Sequence, residues 1–162
     1  MDKSKILFLD IDGVLNSFRF SHNEERYGFA DELVEKLRKI LDKTNAGVVI
    51  SSSWRKHEDY EPFEPMMNWR DVLTRKLGFK MRSDWLLGET PNSDSGKRGL
   101  EILAWFDLQP KSFNKNAKNF CIIDDEVGDI LPFICKRLII KVDMRVGLTD
   151  EDAEKAIKIL NR

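Results

Sequence analysis

Cysteine and histidine are scarce, with two of each in 162 residues. Cys121 and Cys135 form no Cys-x-x-Cys pair and have no His-rich neighbourhood, which argues against a disulfide scaffold or a thiolate zinc site. Both lie in apolar surroundings and are expected to be buried, reduced thiols. Five prolines and nine glycines do not gather into a linker, repeat or low-complexity tract. A single domain over 1–162 is expected, with an irregular insert at about 56–95. No apolar run approaches the roughly 20 residues needed to span a membrane. The opening Met1-Asp-Lys-Ser-Lys5 leads into a strand without a signal-type hydrophobic region, so a cytoplasmic protein is expected. Net charge is also missing: 27 basic and 28 acidic residues leave −1, and no global field draws the chain to nucleic acid or a membrane. A polyanionic substrate would have to be held locally.

The most informative segment that is present runs from Lys5 to Asn16. A short apolar stretch, Ile6 to Leu9, delivers Asp10 and Asp12 and then breaks at Gly13. Such a stretch reads as a central parallel strand buried on both faces, where an unpaired carboxylate would cost several kcal/mol. The acids therefore belong at the strand's carboxyl end, the ligand-binding rim of an open α/β sheet.

Apolar periodicity supplies the rest of the frame. Ala30 to Thr44 places Leu33, Leu37, Ile40 and Leu41 at helical spacing behind a start at Asp31, and Gly47 to Ile50 reads as a second strand. The insert offers one short helix, about Trp69 to Leu77, closed by Gly78. Arg98 to Leu108 is a helix with Gly99, Ile102, Leu103 and Phe106 on one face, ending before Pro110. Phe120 to Ile123 and Leu138 to Val142 are strands. Thr149, with Asp152 three residues on, caps a last helix carrying Ala153, Ala156, Ile157 and Leu160. Alternating strands and helices predict a Rossmann-like α/β/α fold in three layers with a mainly parallel sheet.

Three of these strands end in polar groups: Asp10 and Asp12, then Ser51-Ser-Ser-Trp-Arg55, then Asp124 and Asp125. In a parallel sheet those ends share one edge. Converging carboxylates with hydroxyls beside them suit a hard cation with oxygen ligands, Mg²⁺ by preference, together with a phosphate. Phosphoryl transfer follows as the chemistry, because an anionic carboxylate attacks a phosphate only if its charge is neutralised and its oxygens are held.

Asp10-Ile-Asp-Gly-Val-Leu-Asn16 after a strand, a strand-final Ser51, a basic residue opening a later helix and the Asp124-Asp125 pair together resemble the haloacid dehalogenase (HAD) superfamily of aspartate-nucleophile phosphatases. The resemblance implies a Mg²⁺-dependent phosphoric monoester hydrolase. In it Asp10 is the nucleophile that forms an aspartyl phosphate, and Asp12 is the acid/base. Asp10, the Asp12 backbone carbonyl, Asp124 and Asp125 ligate the metal, with Asp129 a weaker alternative. Ser51, with the Ser52 amide, holds the phosphoryl group. Lys97 and Arg98 both open the helix; Lys97 is preferred on side-chain type, and Arg98 stays as the alternative. Arg55 has a fork suited to a second phosphate or a substrate backbone.

Val49 to Arg55, the segment from Lys97 to Ile102 and the closing stretch from Gly147 to Ala153 further resemble small bacterial and phage HAD-domain proteins associated with RNA repair. That implies action on nucleic-acid 3′-phosphate ends or nucleotides, with phosphoprotein and small-metabolite phosphatases as alternatives, and with no membrane or obligate protein partner. Neither Ser17 to Ala46 nor Arg98 to Asn119 holds a separate cap domain, so a minimal cap and an open site are expected. The insert is a possible partial lid in which Trp54, Tyr60, Trp69 and Trp85 stack on bases, although packing is the commoner use of such aromatics. His22 and His57 have no partner pattern and no assigned role. A P-loop is excluded because Gly96-Lys97 lacks the upstream glycine spacing. A receiver-like or catalytically silent phosphate-binding module is the non-enzyme alternative. A receiver would carry its acceptor Asp on a middle strand, where this chain carries Ser51.

Overall fold

The computed structural model describes residues 4–17, 29–55, 69–78, 85–111, 113 and 119–162. Five parallel strands form one sheet in the order β3-β2-β1-β4-β5: β1 Lys5–Leu9, β2 Gly47–Ile50, β3 Leu86–Glu89, β4 Asn119–Asp124 and β5 Ile139–Lys141. Central β1 is sealed on both faces: Ile6, Leu7, Phe8 and Leu9 are each 0 % exposed. At about 1.5–3 kcal/mol for each large apolar side chain fully buried, this strand is a main anchor of the sheet.

Alternation along β1 divides the core in two. Leu7 and Leu9 join Val48, Ile50 and Ile123 against helices α1 Asp31–Thr44, α2 Trp69–Leu77 and α4 Asp150–Leu160, which supply Leu33, Leu37, Leu73, Ala153 and Leu160. Ile6 and Phe8 face the opposite layer with Val49, Ile122, Ile130 and α3 Arg98–Leu108, which supplies Ile102 and Trp105. Phe8 meets Trp105 edge-on, ring centroids 5.5 Å apart at 88°. The result is the expected Rossmann-like three-layer α/β/α arrangement. Thr149 accepts the Asp152 amide while Asp152 accepts the Thr149 amide, so the predicted capping box opens α4.

Four expectations change. β3 has no counterpart among the strands expected from the sequence: it has four residues, includes Gly88 and joins β2 with a register shift at Val48/Val49, so it carries almost no periodic signal. The buried face of α3 comprises Gly99, Glu101, Ile102 and Trp105, whereas Leu103 is exposed. Cys121 is a buried free thiol as expected, but Cys135, just ahead of the 3₁₀ turn Lys136–Leu138, is exposed. Trp85 lies buried in the core and is not free to stack on a base. Tyr60 and the Trp69 side chain lie outside the described residues, as does much of the expected lid. Among the described residues no helix is long and apolar enough to cross a membrane.

Candidate active site

The sheet's hydrogen-bond ladder continues one residue past the strands and so fixes the site. The Asp10 amide donates to the Ile123 carbonyl (3.0 Å), the Ser51 amide to the Leu9 carbonyl (2.9 Å) and the Thr90 amide to the Ile50 carbonyl (2.9 Å). Asp10, Ser51 and Thr90 thus leave their strands at one level, and Asp124 closes β4 beside them. Leu9, Ile50 and Ile123 face the α1 side, so the residues that follow turn toward the α3 side, where Arg98 waits.

Asp10, Asp124 and Asp125 each bring one carboxylate oxygen within 4.8 Å of the others. Asp10 and Asp124 are buried. Arg98 Nη1 is 2.6 Å from Asp124 Oδ2 and 3.2 Å from Asp10 Oδ2. Burial pushes Asp124 up to about 7, with the Asp10 charge adding and Arg98 opposing. Asp125 is raised for the same two reasons, burial first and the Asp10 charge second. Burial also works against the charge on Arg98, but Asp124 and Asp10 more than offset it and hold the guanidinium protonated. Asp124 is oriented by the Glu126 amide, which donates to its Oδ1 at 2.8 Å.

Three buried oxygens at this edge lack a hydrogen-bond partner among the described residues: Asp10 Oδ1, Ser51 Oγ and Thr90 Oγ1. Buried polar atoms are rarely left so, because an unmade hydrogen bond costs about 1–3 kcal/mol. An orphaned carboxylate oxygen within a three-carboxylate cluster fits a hard divalent cation, and an orphaned hydroxyl next to it fits a phosphoryl oxygen. Gly13 completes the cradle. Its φ of +70° favours glycine, and a Cβ there would come within 2.6 Å of Asp125 Oδ2.

Asp12 stands outside the cluster and is exposed. Its Oδ1 accepts from Asn16 Nδ2 and its Oδ2 from Trp54 Nε1, both at 2.9 Å.

Of the two basic residues that open α3, Arg98 reaches the carboxylates. Lys97 is the N-cap, and its ammonium lies 5.8 Å from the centroid of the Phe133 ring. The backbone explains the difference: Lys97 stands before the helix with extended geometry (φ −88°, ψ 114°) and Arg98 is the first helical residue, so the two side chains leave in different directions. The Arg98 amide is fixed by Asp129 Oδ2 at 2.9 Å, so Asp129 serves the start of α3 and is absent from the carboxylate cluster. Side-chain type, the basis for preferring Lys97, carries no information about side-chain direction.

Arg55 is also turned away from its expected place. Its Nη1 donates to the Ser51 and Ser52 carbonyls (2.9 and 3.0 Å), its Nε to Asn92 Oδ1 (3.1 Å) and its Nη2 to Glu101 Oε2. Arg55 and Glu101 are 6 % and 2 % exposed. The guanidinium braces the turn after β2 from within and is not offered to a substrate. Ser52 is wholly buried, and its hydroxyl accepts the Trp54 amide at 3.4 Å.

The motif order along the chain finds its counterpart in a family comparison: residues 6–153 match the model of the HAD domain in Swiss Army Knife RNA repair proteins. The chain belongs to this HAD family. No curated protein and no solved structure matches it. Membership supports a HAD-type phosphoesterase, and HAD domains generally use Mg²⁺, for which the carboxylate cluster supplies the donor set. Sequence reasoning missed the roles of Asn16, Trp54 and Glu101 in this HAD domain. Asn16 closes the first motif and could have been flagged by position; Trp54 and Glu101 lie in segments that carry the resemblance, but nothing local marks their partners Asp12 and Arg55, 42 and 46 residues away.

Proposed function

We propose that this HAD domain is a Mg²⁺-dependent phosphomonoesterase that works through phosphorylated Asp10 and acts on nucleic-acid 3′-phosphate ends or nucleotides. The observation that carries the reading is the buried Asp10 Oδ1, without a hydrogen-bond partner among the described residues, within the Asp10, Asp124 and Asp125 cluster.

Asp10, Asp124, Asp125 and the Asp12 backbone carbonyl would hold Mg²⁺, whose chemistry is to neutralise phosphate and carboxylate charge. A carboxylate oxygen of Asp10 attacks phosphorus, and the bond from phosphorus to the leaving oxygen breaks as Asp12 gives that oxygen a proton. Asp12 then takes a proton from water as the water oxygen attacks the phosphorus of the aspartyl phosphate, releasing inorganic phosphate and restoring Asp10. Ser51 Oγ and the Ser52 amide donate to the phosphoryl oxygens, and Arg98 balances their charge.

The nucleic-acid assignment draws on the family's link to RNA repair and on a cleft of about 480 Å³ beside Asp125. Lys141 gives the cleft a cationic group, Arg145 is paired with Asp143 in its wall, and Val142 and Met144 give it apolar contact surface on which a nucleotide next to the scissile phosphate would rest.

The test is Mg²⁺-dependent phosphate release by wild type and Asp10→Asn on 3′- and 5′-phosphorylated RNA and DNA ends, nucleotides, phosphopeptides and sugar phosphates. Preference for 3′-phosphorylated ends or nucleotides is expected, with Asp10→Asn folded and inactive. Selectivity for phosphopeptides or sugar phosphates would move the substrate elsewhere, and unchanged turnover by Asp10→Asn would overturn the nucleophile.

A further inference from the structure

The loops after β1 and β2 are joined by a side-chain bond that the sheet does not require. Trp54, in the turn after β2, donates its Nε1–H to Asp12 Oδ2 at 2.9 Å, across 42 residues of sequence. An indole N–H can only donate, so Asp12 is the acceptor. The second carboxylate oxygen is held from within its own loop by Asn16 Nδ2. The Asn16 amide is oriented in turn by the Gly13 amide, which donates to its Oδ1 at 3.1 Å. Each oxygen of Asp12 therefore accepts one fixed N–H and retains a lone pair, so the carboxyl can take or give a proton without releasing either bond.

The Trp54 ring is itself held. It packs on buried Phe29, ring centroids 5.5 Å apart at 41°, and lies against the main core cluster. Arg55 braces its turn through the Ser51 and Ser52 carbonyls and Glu101. Asp12 is exposed, and without such partners its side chain would sample several rotamers.

We propose that Trp54 is a positioning residue for Asp12, which it aims at the oxygen to be protonated through the Nε1–H···Oδ2 bond. The inference rests on the acid/base role of Asp12 given above. Hydrogen bonds to a charged acceptor are stronger than those to a neutral one, so both bonds tighten as Asp12 gives up its proton. Stabilisation that grows along the reaction coordinate accelerates the step. Ser51 leaves the same strand end, so the turn that presents the phosphoryl-binding hydroxyl also sets the acid.

The test compares kcat/KM for an alkyl phosphate, whose alkoxide leaving group needs a proton, with kcat/KM for p-nitrophenyl phosphate, whose leaving group does not. Trp54→Phe keeps an aromatic ring against Phe29 and removes the N–H. Its kcat/KM is expected to fall about tenfold on the alkyl substrate, a fraction of the 10²–10⁴ typical of acid/base catalysis, and less than twofold on the aryl substrate. Trp54→His, which retains a ring N–H, should recover part of the loss, and Trp54→Phe added to Asp12→Asn should cost nothing further. An equal fall on both substrates, no fall on either, or a full additional loss in the Asp12→Asn background would overturn the proposal. Thermal unfolding is followed for each variant, and the His variant serves alone if the Phe variant does not fold. Asp12→Asn at the wild-type rate on the alkyl substrate would instead remove the acid/base reading, a failure distinct from that of Trp54 alone.

Discussion

Arg98 bridges two buried carboxylates, with its Nη1 2.6 Å from Asp124 and 3.2 Å from Asp10. This guanidinium is a positive charge in direct contact with both. Lys97, one residue earlier, lies against Phe133. Residues adjacent in sequence thus have different environments, and their substitutions should separate cleanly.

Arg98→Met is expected to lower kcat by about 10²–10³, the range seen when a fixed donor to developing charge is removed. Arg98→Lys should retain part of the activity, since it keeps the charge and loses the fork. Lys97→Met should stay within about twofold of wild type, because only a helix-end cation and a ring contact are lost. Steady-state kinetics on the best substrate of the panel decides the matter, and a larger loss from Lys97→Met than from Arg98→Met would reverse the assignment.

Mg²⁺ affinity should fall with pH. Burial and the Asp10 charge raise Asp124 from 3.8 to about 7, so below that value it must release its proton before it can ligate. For one proton the expected loss is about tenfold for each unit below 7. The same shift has a stability consequence. A carboxyl that keeps its proton longer in the folded state favours folding at low pH, and this contribution is lost as pH rises from about 4 to 7. Added Mg²⁺ should therefore raise the unfolding temperature more at pH 8 than at pH 6. Calorimetric titration and thermal melts at the two values measure both effects, and equal affinity at pH 8 and 6 would contradict the prediction.

Arg55 and Glu101 should behave as a structural pair. Breaking a buried ion pair by removing one partner typically costs 3–5 kcal/mol, since a buried charge is left unmatched. Arg55→Met and Glu101→Gln are each expected to destabilise by about this amount, and the double variant by less than the sum. Denaturant unfolding gives the three values. If Arg55→Met kept full stability and raised only KM, the residue would belong to the substrate after all.

The sequence alone determined what local patterns encode. Apolar runs place β1, β2 and β4, and the acids and hydroxyl at their ends fall on one edge because the strands are parallel. Periods of three and four place α1, α3 and α4, and Thr149 with Asp152 marks where α4 begins. Tertiary structure decided what depends on distant partners. Asp129, 31 residues away, anchors the Arg98 amide at the start of α3, and with Lys97 left as the extended N-cap it is Arg98 that reaches the carboxylates. Glu101, 46 residues from Arg55, draws that guanidinium inward, and Trp54 reaches Asp12 across 42. β3 exists because the edge of β2 offers it hydrogen bonds, since its own four residues carry no strong preference. The type and position of the longer elements are fixed by neighbours in the chain, whereas the order of strands in the sheet and the direction of a side chain are fixed by whatever packing brings beside them.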